Sequence, residues 1–210
     1  MPTIFKTPYE KQRSSIVDVL HAYGLRKGVG VEIGVKRGEF SKVLLDGWDC
    51  ESLILVDSWK DQTADVYDEL NVHDHDDDYA ACMRTLEPYK GRYHVLRGLS
   101  HEVVDKVNDA TLDFVYIDAN HSYDAVRQDL RDWYPKLKPG GIIAGDDYTI
   151  NPLERINSSS VFGVKKAVDE FVLEHKKNVS IDLEGVWYYT SKEESGTEHY
   201  IACRNWWFVK

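Results

Sequence analysis

The sequence predicts a doubly wound α/β fold on a mostly parallel sheet. Apolar runs of strand length alternate with segments of helical periodicity, and the central runs are apolar at both alternations rather than one. A strand of that kind is covered on both faces, as parallel strands with right-handed helical crossovers are.

Each element can be justified in turn. Residues 8–26 place Ile16, Val17, Val19, Leu20 and Tyr23 at helical spacing and predict a helix covering the sheet, within an N-terminal cover of residues 1–27. Five strands follow: VGVEIGV at 29–35, SLILVD at 52–57, RYHVLR at 92–97, LDFVYID at 112–118 and GIIAGDD at 141–147. Helical patterns occupy about 38–48, 76–88, 100–108, 122–136 and 161–176. The aromatic segments SIDLEGVWYYT and HYIACRNWWFVK, separated by the turn-forming EESG, predict two final antiparallel strands within 178–210. With no repeat or Pro/Gly-rich linker, residues 1–210 are expected to form one domain. Residues 58–79 and 149–162 are irregular and follow strand ends, so they are candidate lids.

Composition narrows the partners. The chain has 210 residues, 36 of them acidic, and a net charge of −10, which opposes polyanions and argues against a nucleic-acid partner. No apolar run is long enough for a membrane span, and the start MPTIFKTPYEKQRSS does not read as a secretory signal. Three widely spaced cysteines suit a reducing, cytoplasmic setting. Trp187, Trp206 and Trp207 leave burial against the sheet and pairing in a homo-oligomer as alternatives.

The chemistry-bearing residues fall at predicted strand ends. The first strand runs into Glu32-Ile-Gly34 and then Gly38 and Ser41, a tight turn that brings backbone N–H groups toward a ligand. An acid before the first glycine repels a pyrophosphate but suits an ammonium group or hydroxyls, which favours S-adenosylmethionine over a nicotinamide dinucleotide. Asp57, 19 residues after Gly38, stands where an acid accepts from ribose hydroxyls, or it caps its own turn. Leu99 and Ser100 could flank an adenine ring, while Ser100 also reads as a helix cap.

Asp118, Asp146 and Asp147 end the fourth and fifth strands, and if these neighbour one another three carboxylates converge. Such a group favours a divalent cation, Mg²⁺ or Mn²⁺, that lowers the pKa of a bound hydroxyl. His121 lies three residues after Asp118 and is a candidate general base. The acidic run from His73 to Asp78 reads as a solvated helix start rather than a metal site. Trp59, Tyr148 and Phe162 are candidate substrate-facing aromatics, with core packing as the alternative.

VEIGVKRGEFS, LILVDSW, VLRGLS, LDFVYIDANHSYDAV and LKPGGIIAGDDY, in this order over about residues 28–176, resemble the class I S-adenosylmethionine-dependent methyltransferases. Their order is similar to that of the bacterial small-molecule group that includes macrocin-type sugar O-methyltransferases and, more distantly, to that of catechol O-methyltransferase. The resemblance implies a Rossmann-like seven-stranded sheet with its last strand antiparallel. It assigns Glu32, Gly34, Gly38 and Ser41 to the methionine end of the cofactor, Asp57 to the ribose, Leu99 and Ser100 to the adenine, and Asp118, Asp146 and Asp147 to a cation. Asn120-His121 departs from metal-dependent relatives that carry an acidic base just after the first metal aspartate. The expected activity is O-methylation of a hydroxyl on a small molecule such as a sugar or glycosylated natural product. A nicotinamide-dependent oxidoreductase and a non-catalytic cofactor-binding protein are the rival readings.

Overall fold

The computed structural model describes residues 9–61, 74–148, 163–182, 187–192 and 198–210. Most of the segment 58–79, all of 149–162 with Phe162, and the EESG turn lie outside the described residues. The elements are α1 (Tyr9–Ala22), β1 (Val29–Ile33), α2 (Glu39–Gly47), β2 (Ser52–Asp57), α3 (His75–Leu86), β3 (Tyr93–Arg97), α4 (Ser100–Val103), β4 (Leu112–Ile117) and α5 (Tyr123–Trp133). They are followed by β5 (Leu137–Gly145), α6 (Val164–Glu174), β6 (Ser180–Ile181), β7 (Trp187–Lys192), β8 (Glu198–Cys203) and β9 (Trp206–Val209).

Seven strands form the main sheet in the order β3-β2-β1-β4-β5-β9-β6. The pairs among β3, β2, β1, β4 and β5 are parallel, and β9 runs antiparallel to both β5 and β6. The expected mixed sheet with an antiparallel last strand is therefore present. The aromatic C-terminus differs from the expectation of two strands. It yields four: β6 and β9 join the main sheet, while β7 and β8 form a separate antiparallel pair.

The sheet is insulated on both faces, which explains why its central strands are apolar on both alternations. On one face Val31, Ile33, Val115, Ile117 and Ile143 pack with Val126, Leu130 and Trp133 of α5 and Val168 and Phe171 of α6. On the other, Leu53, Leu55, Phe114, Tyr116 and Ile142 meet Ile16 and Leu20 of α1, Phe40 and Leu44 of α2, and Cys82 and Leu86 of α3. The last strand obeys the two-residue alternation: Trp206 and Phe208 join the first layer, Trp207 and Val209 the second. Among the described residues, no helix is long and apolar enough to cross a membrane.

β5 begins at Leu137, four residues before the expected start, because Lys138-Pro-Gly-Gly is carried inside the strand as an irregularity. The register to β4 passes from Leu112 opposite Leu137 to Phe114 opposite Ile142. The bulged stretch pairs with the end of the sequence instead: Gly140 donates to Lys210 O at 3.2 Å, and Lys210 donates to Gly141 O at 2.9 Å. The Lys210 ammonium then collects the carbonyls of Tyr134, Pro135 and Leu137.

β9 is also fastened from the centre of the sheet, where the buried Tyr116 hydroxyl donates to Asn205 Oδ1 at 2.7 Å. Tyr116→Phe removes that donor and is expected to cost about 1–2 kcal/mol. Equilibrium urea unfolding would show this as a lower midpoint at an unchanged slope.

Candidate active site

The strand order makes β1 and β4 neighbours at the centre, where the chain switches from winding toward β3 to winding toward β5. Ligands of open α/β sheets sit at the carboxyl ends of strands flanking this switch. The turn after β1 is wedged there. Gly34 has φ +89°, its N–H donates to Val56 O at 2.9 Å, and a Cβ on it would stand 2.0 Å from the Asp118 carbonyl oxygen. Only glycine fits.

The turn ends at Gly38, φ +75°, which stands at the N-terminus of α2 without a side-chain cap. The first turn of α2 thus leaves backbone donors directed toward the strand ends. Beneath the turn, Glu32 is buried and accepts from Ser41 Oγ at 2.5 Å. Glu32 and Ser41 therefore form one polar pair linking β1 to α2.

Asp57 ends β2 and organises the same turn. Its Oδ2 accepts from the backbone N–H of Val35 and of Lys36, both at 2.9 Å, and its Oδ1 accepts from Trp59 N at 2.8 Å. Lys36 and Trp59 both have positive φ, at 51° and 40°. One carboxylate thus holds two strained turns together. Oδ1 retains acceptor capacity toward a further donor.

The turn after β3 is tied to the same edge, with Gly98 N donating to Asp57 O at 2.9 Å. Leu99, rather than Ser100, is the N-cap of α4, and its N–H is met by Glu102 Oε2 at 3.2 Å. The Ser100 hydroxyl faces inward, accepting from Trp133 Nε1 at 2.7 Å.

A second group converges after β4 and β5. Asp118, His121 and Asp147 each offer a ligand atom within 4.8 Å of the others. His121 Nε2 lies 2.9 Å from Asp147 Oδ2 and 3.4 Å from Asp118 Oδ1. Asp146 is not a member of this group, so the convergent set holds His121 where the three-aspartate expectation had Asp146. Consecutive residues cannot face the same way: Asp146 is buried, and its Oδ1 accepts from Asp147 N at 2.8 Å. Asp147 has φ +60°, and this bond aims its carboxylate at His121. Trp206 Nε1, donating to Asp146 O at 3.0 Å, anchors the turn to β9.

Burial by itself would push the His121 pKa down. The charge of Asp147, with hydrogen bonds donated to both carboxylates, overrides this and holds it well above the ordinary imidazole value. The two carboxylates accordingly favour the charged form of His121.

Two expectations are corrected here. Trp59 is core, 2% exposed, with its Nε1 donating to Lys36 O at 2.8 Å. Tyr148 is also buried, its hydroxyl donating to Asp169 Oδ1 at 2.6 Å. Of the acidic run, Asp74 caps α3, accepting from Asp77 N at 3.0 Å. Asp78 is buried rather than solvated and, with Asp77, receives Arg37 from the β1 turn at 2.8 and 2.9 Å. His73 lies outside the described residues.

Sequence reasoning missed Asp129, an acid buried on α5. The signal was present: Val126, Asp129, Leu130 and Trp133 share the buried face at helical spacing. It also missed Gly163, whose N–H donates to His121 O at 2.8 Å and whose Cβ would strike Tyr123 N at 2.1 Å. Nothing in the sequence marks that contact.

A parallel sheet with an antiparallel strand beside β5, and a glycine turn flanked by acids at its switch point, define a Rossmann-like protein of the methyltransferase type. Consistent with this, residues 31–148 match the family described as "Methyltransferase domain", and the chain belongs to that family. Uncharacterized protein y4gI of Sinorhizobium fredii (strain NBRC 101917 / NGR234) is 27% identical over 130 residues, 60% of this chain, which spans 14% of that relative's length.

Solved structures share the fold. The O-methyltransferase from Bacillus cereus in complex with SAH is 18% identical, with 100% of this chain and 84% of that chain covered at a TM-score of 0.59. TomG from Streptomyces achromogenes, an O-methyltransferase involved in tomaymycin synthesis and solved with SAM, gives 13%, 95% and 80%, and 0.60. The precorrin-6y C5,15-methyltransferase from Geobacter metallireducens GS-15 gives 14%, 100% and 94%, and 0.61.

Because its folded pKa is raised, His121 stabilises the fold fully below the unfolded imidazole pKa of about 6.5, and this contribution is lost as pH rises through the folded value. NMR titration of the His121 ring should give a midpoint well above the ordinary imidazole value. Asp147→Asn should bring it back toward about 6.5.

Proposed function

We propose that the protein transfers the methyl group of S-adenosylmethionine to a hydroxyl of a small molecule, such as a sugar or glycosylated natural product. The observation that carries this reading is the chemistry of the central edge. Glu32, Asp57 and Asp118 are three acids around one glycine turn, with a glycine, Gly38, as the N-cap of α2. That set repels phosphates and complements a ligand bearing an ammonium, a sulfonium and a diol. It disfavours the nicotinamide reading.

S-adenosylmethionine would supply an activated methyl, so the protein's work is binding, orientation and handling one proton. Gly34, Gly38 and the Glu32–Ser41 pair would receive the amino-acid end, Asp57 Oδ1 a ribose hydroxyl, and the Gly98–Ser100 turn the adenine. Alignment of the acceptor oxygen accounts for several kcal/mol of barrier lowering in such reactions. The group at Asp118, His121 and Asp147 stands beside this cleft. His121 would take the acceptor's proton at Nε2 only as the neutral imidazole, after its own Nε2 proton has left to solvent and Nε2 has exchanged Asp147 for the hydroxyl. Asp118 and Asp147 keep the imidazole oriented and stabilise its charged form.

The same three side chains also fit a divalent ion, which would supply positive charge beside the acceptor oxygen. An imidazole with two carboxylates inclines the choice from Mg²⁺ toward Mn²⁺. Asp146 then supports Asp147 from behind rather than serving as a ligand.

The cofactor assignment is tested by calorimetry of the full chain: S-adenosylhomocysteine should bind and NAD should not. Tight NAD binding without S-adenosylmethionine binding would overturn it. Gly34→Ala should lower S-adenosylhomocysteine affinity by about 100-fold or more, since the added carbon displaces the turn itself. The chemistry is tested by S-adenosylhomocysteine release over a panel of hydroxylated acceptors. His121→Ala should reduce turnover about 10²–10⁴-fold with cofactor affinity unchanged. Full turnover in both His121→Ala and Asp118→Ala would show that the reaction occurs elsewhere.

A further inference from the structure

The glycine turn carries a conflict of charge. Acids stand around it, yet Lys36 and Arg37 lie within it, between Gly34 and Gly38. A cation beside a helix N-terminus at the switch point of an open sheet is a setting that draws a pyrophosphate. Lys36 is exposed, so water and salt screen its charge. Arg37 is handled differently.

The α3 helix packs directly against the turn. A Cβ on Gly38 would stand 3.0 Å from Cys82 Sγ and 3.2 Å from Leu86 Cγ. From the first turn of the same helix, Asp78 Oδ1 and Asp77 Oδ2 accept from Arg37 Nη1 at 2.8 and 2.9 Å. Asp78 is buried, and a buried carboxylate keeps its charge at least cost with a cation beside it, so its hold on Arg37 is strong. Arg84 Nη2 lies 3.7 Å from Asp77 Oδ1, so two acids and two arginines cancel.

The end of β3 repeats the arrangement. Arg97 Nη2 lies 3.7 Å from Asp76 Oδ1, and its guanidinium stands 5.0 Å over the Tyr79 ring. Its Nη2 and Nε also donate to the carbonyls of Trp59 and Ser58, at 2.8 and 3.2 Å. Consecutive acids of α3 thus answer an arginine from each of two turns at the carboxyl edge.

We propose that Asp77 and Asp78 are specificity-determining residues of the cofactor site: by holding and neutralising Arg37 they keep the glycine turn from attracting a phosphate-bearing nucleotide. This rests on the cofactor reading above. Without the two acids, Arg37 is an uncompensated cation one residue before the N-cap of α2. A ligand with a pyrophosphate gains from that charge, whereas the tail of S-adenosylmethionine, with one charge of each sign, gains far less.

The test is calorimetry of the full-length protein with S-adenosylhomocysteine and, by displacement of it, with magnesium-free ADP. ADP keeps the adenosine and puts a pyrophosphate in place of the amino-acid tail. At about 20 mM salt, Asp77→Asn with Asp78→Asn should raise ADP affinity about tenfold, and the gain should shrink at about 0.5 M salt. Both substitutions keep side-chain volume and an acceptor oxygen. Adding Arg37→Gln should return ADP affinity to within about threefold of wild type. Asp105→Asn with Asp109→Asn makes the same change in net charge before β4, at the opposite edge of the sheet, and should change ADP affinity no more than about twofold. No gain for ADP in the folded Asp77→Asn, Asp78→Asn variant would overturn the proposal. So would a gain that survives Arg37→Gln or is matched by the distant pair, and so would weaker S-adenosylhomocysteine binding without a gain for ADP, which marks a merely structural role. If the variant with buried Asp78 changed does not fold, Asp77→Asn alone decides, with about threefold expected. Absence of S-adenosylhomocysteine binding by the wild type would instead remove the cofactor reading, and this proposal with it.

Discussion

The closest constraint in the molecule is the contact between Gly34 and the carbonyl of Asp118. The central strands β1 and β4 run parallel and end at nearly the same height, so the turns leaving them compete for one space. There is no room for a side chain at that point. Everything at the carboxyl edge follows from how the two turns share it. The β1 turn must fold back tightly, which brings Val35 and Lys36 N–H onto Asp57, and the β4 turn is directed outward, which carries His121 toward Asp147. The β1 turn and the His121 loop are the two halves of one steric compromise.

The acids of this edge divide by what neutralises them. Asp57 is satisfied by backbone amides, Glu32 has the hydroxyl of Ser41, and Asp118 with Asp147 faces an imidazolium. Two of these arrangements use fixed dipoles and one uses a titratable cation. The first kind suits a binding surface that must hold its shape; the second suits a place where charge changes during a reaction. Positive φ at Lys36, Trp59 and Asp147 shows local strain at the same edge, held in place by Asp57 and Asp146.

Much of this was legible in the residues. The strands β1, β2 and β4 announce themselves as short runs with apolar residues on both alternations, and the glycines and acids at and after their ends lie at the sheet edge as their spacing requires. What could not be read was which way a side chain turns once the chain leaves a strand. Asp146 and Asp147 are adjacent letters, yet Asp146 is buried while the carboxylate of Asp147, itself left-handed, turns to His121. Trp59 and Tyr148 look like ligand-facing aromatics in a polar setting, but a backward turn and a partner on α6 take them into the core. The KPGG stretch reads as a break because its pairing partner, the end of the sequence, lies some seventy residues away.

The position of β9 has a consequence for how the protein comes to be folded. β5 is an edge until residues 206–209 arrive, and β6 has no partner in the main sheet until then. Contacts this distant along the chain form late, because a long loop must close before any bond is gained. The strand that closes the sheet also delivers Trp206 to the carbonyl of Asp146. The turn that aims Asp147 is thus completed by the same event that seals the sheet. A chain stalled before that step would keep the β1–β4 half with its glycine turn and lack a fixed Asp146–Asp147 turn, so that under the proposed function competence to bind would precede competence to react.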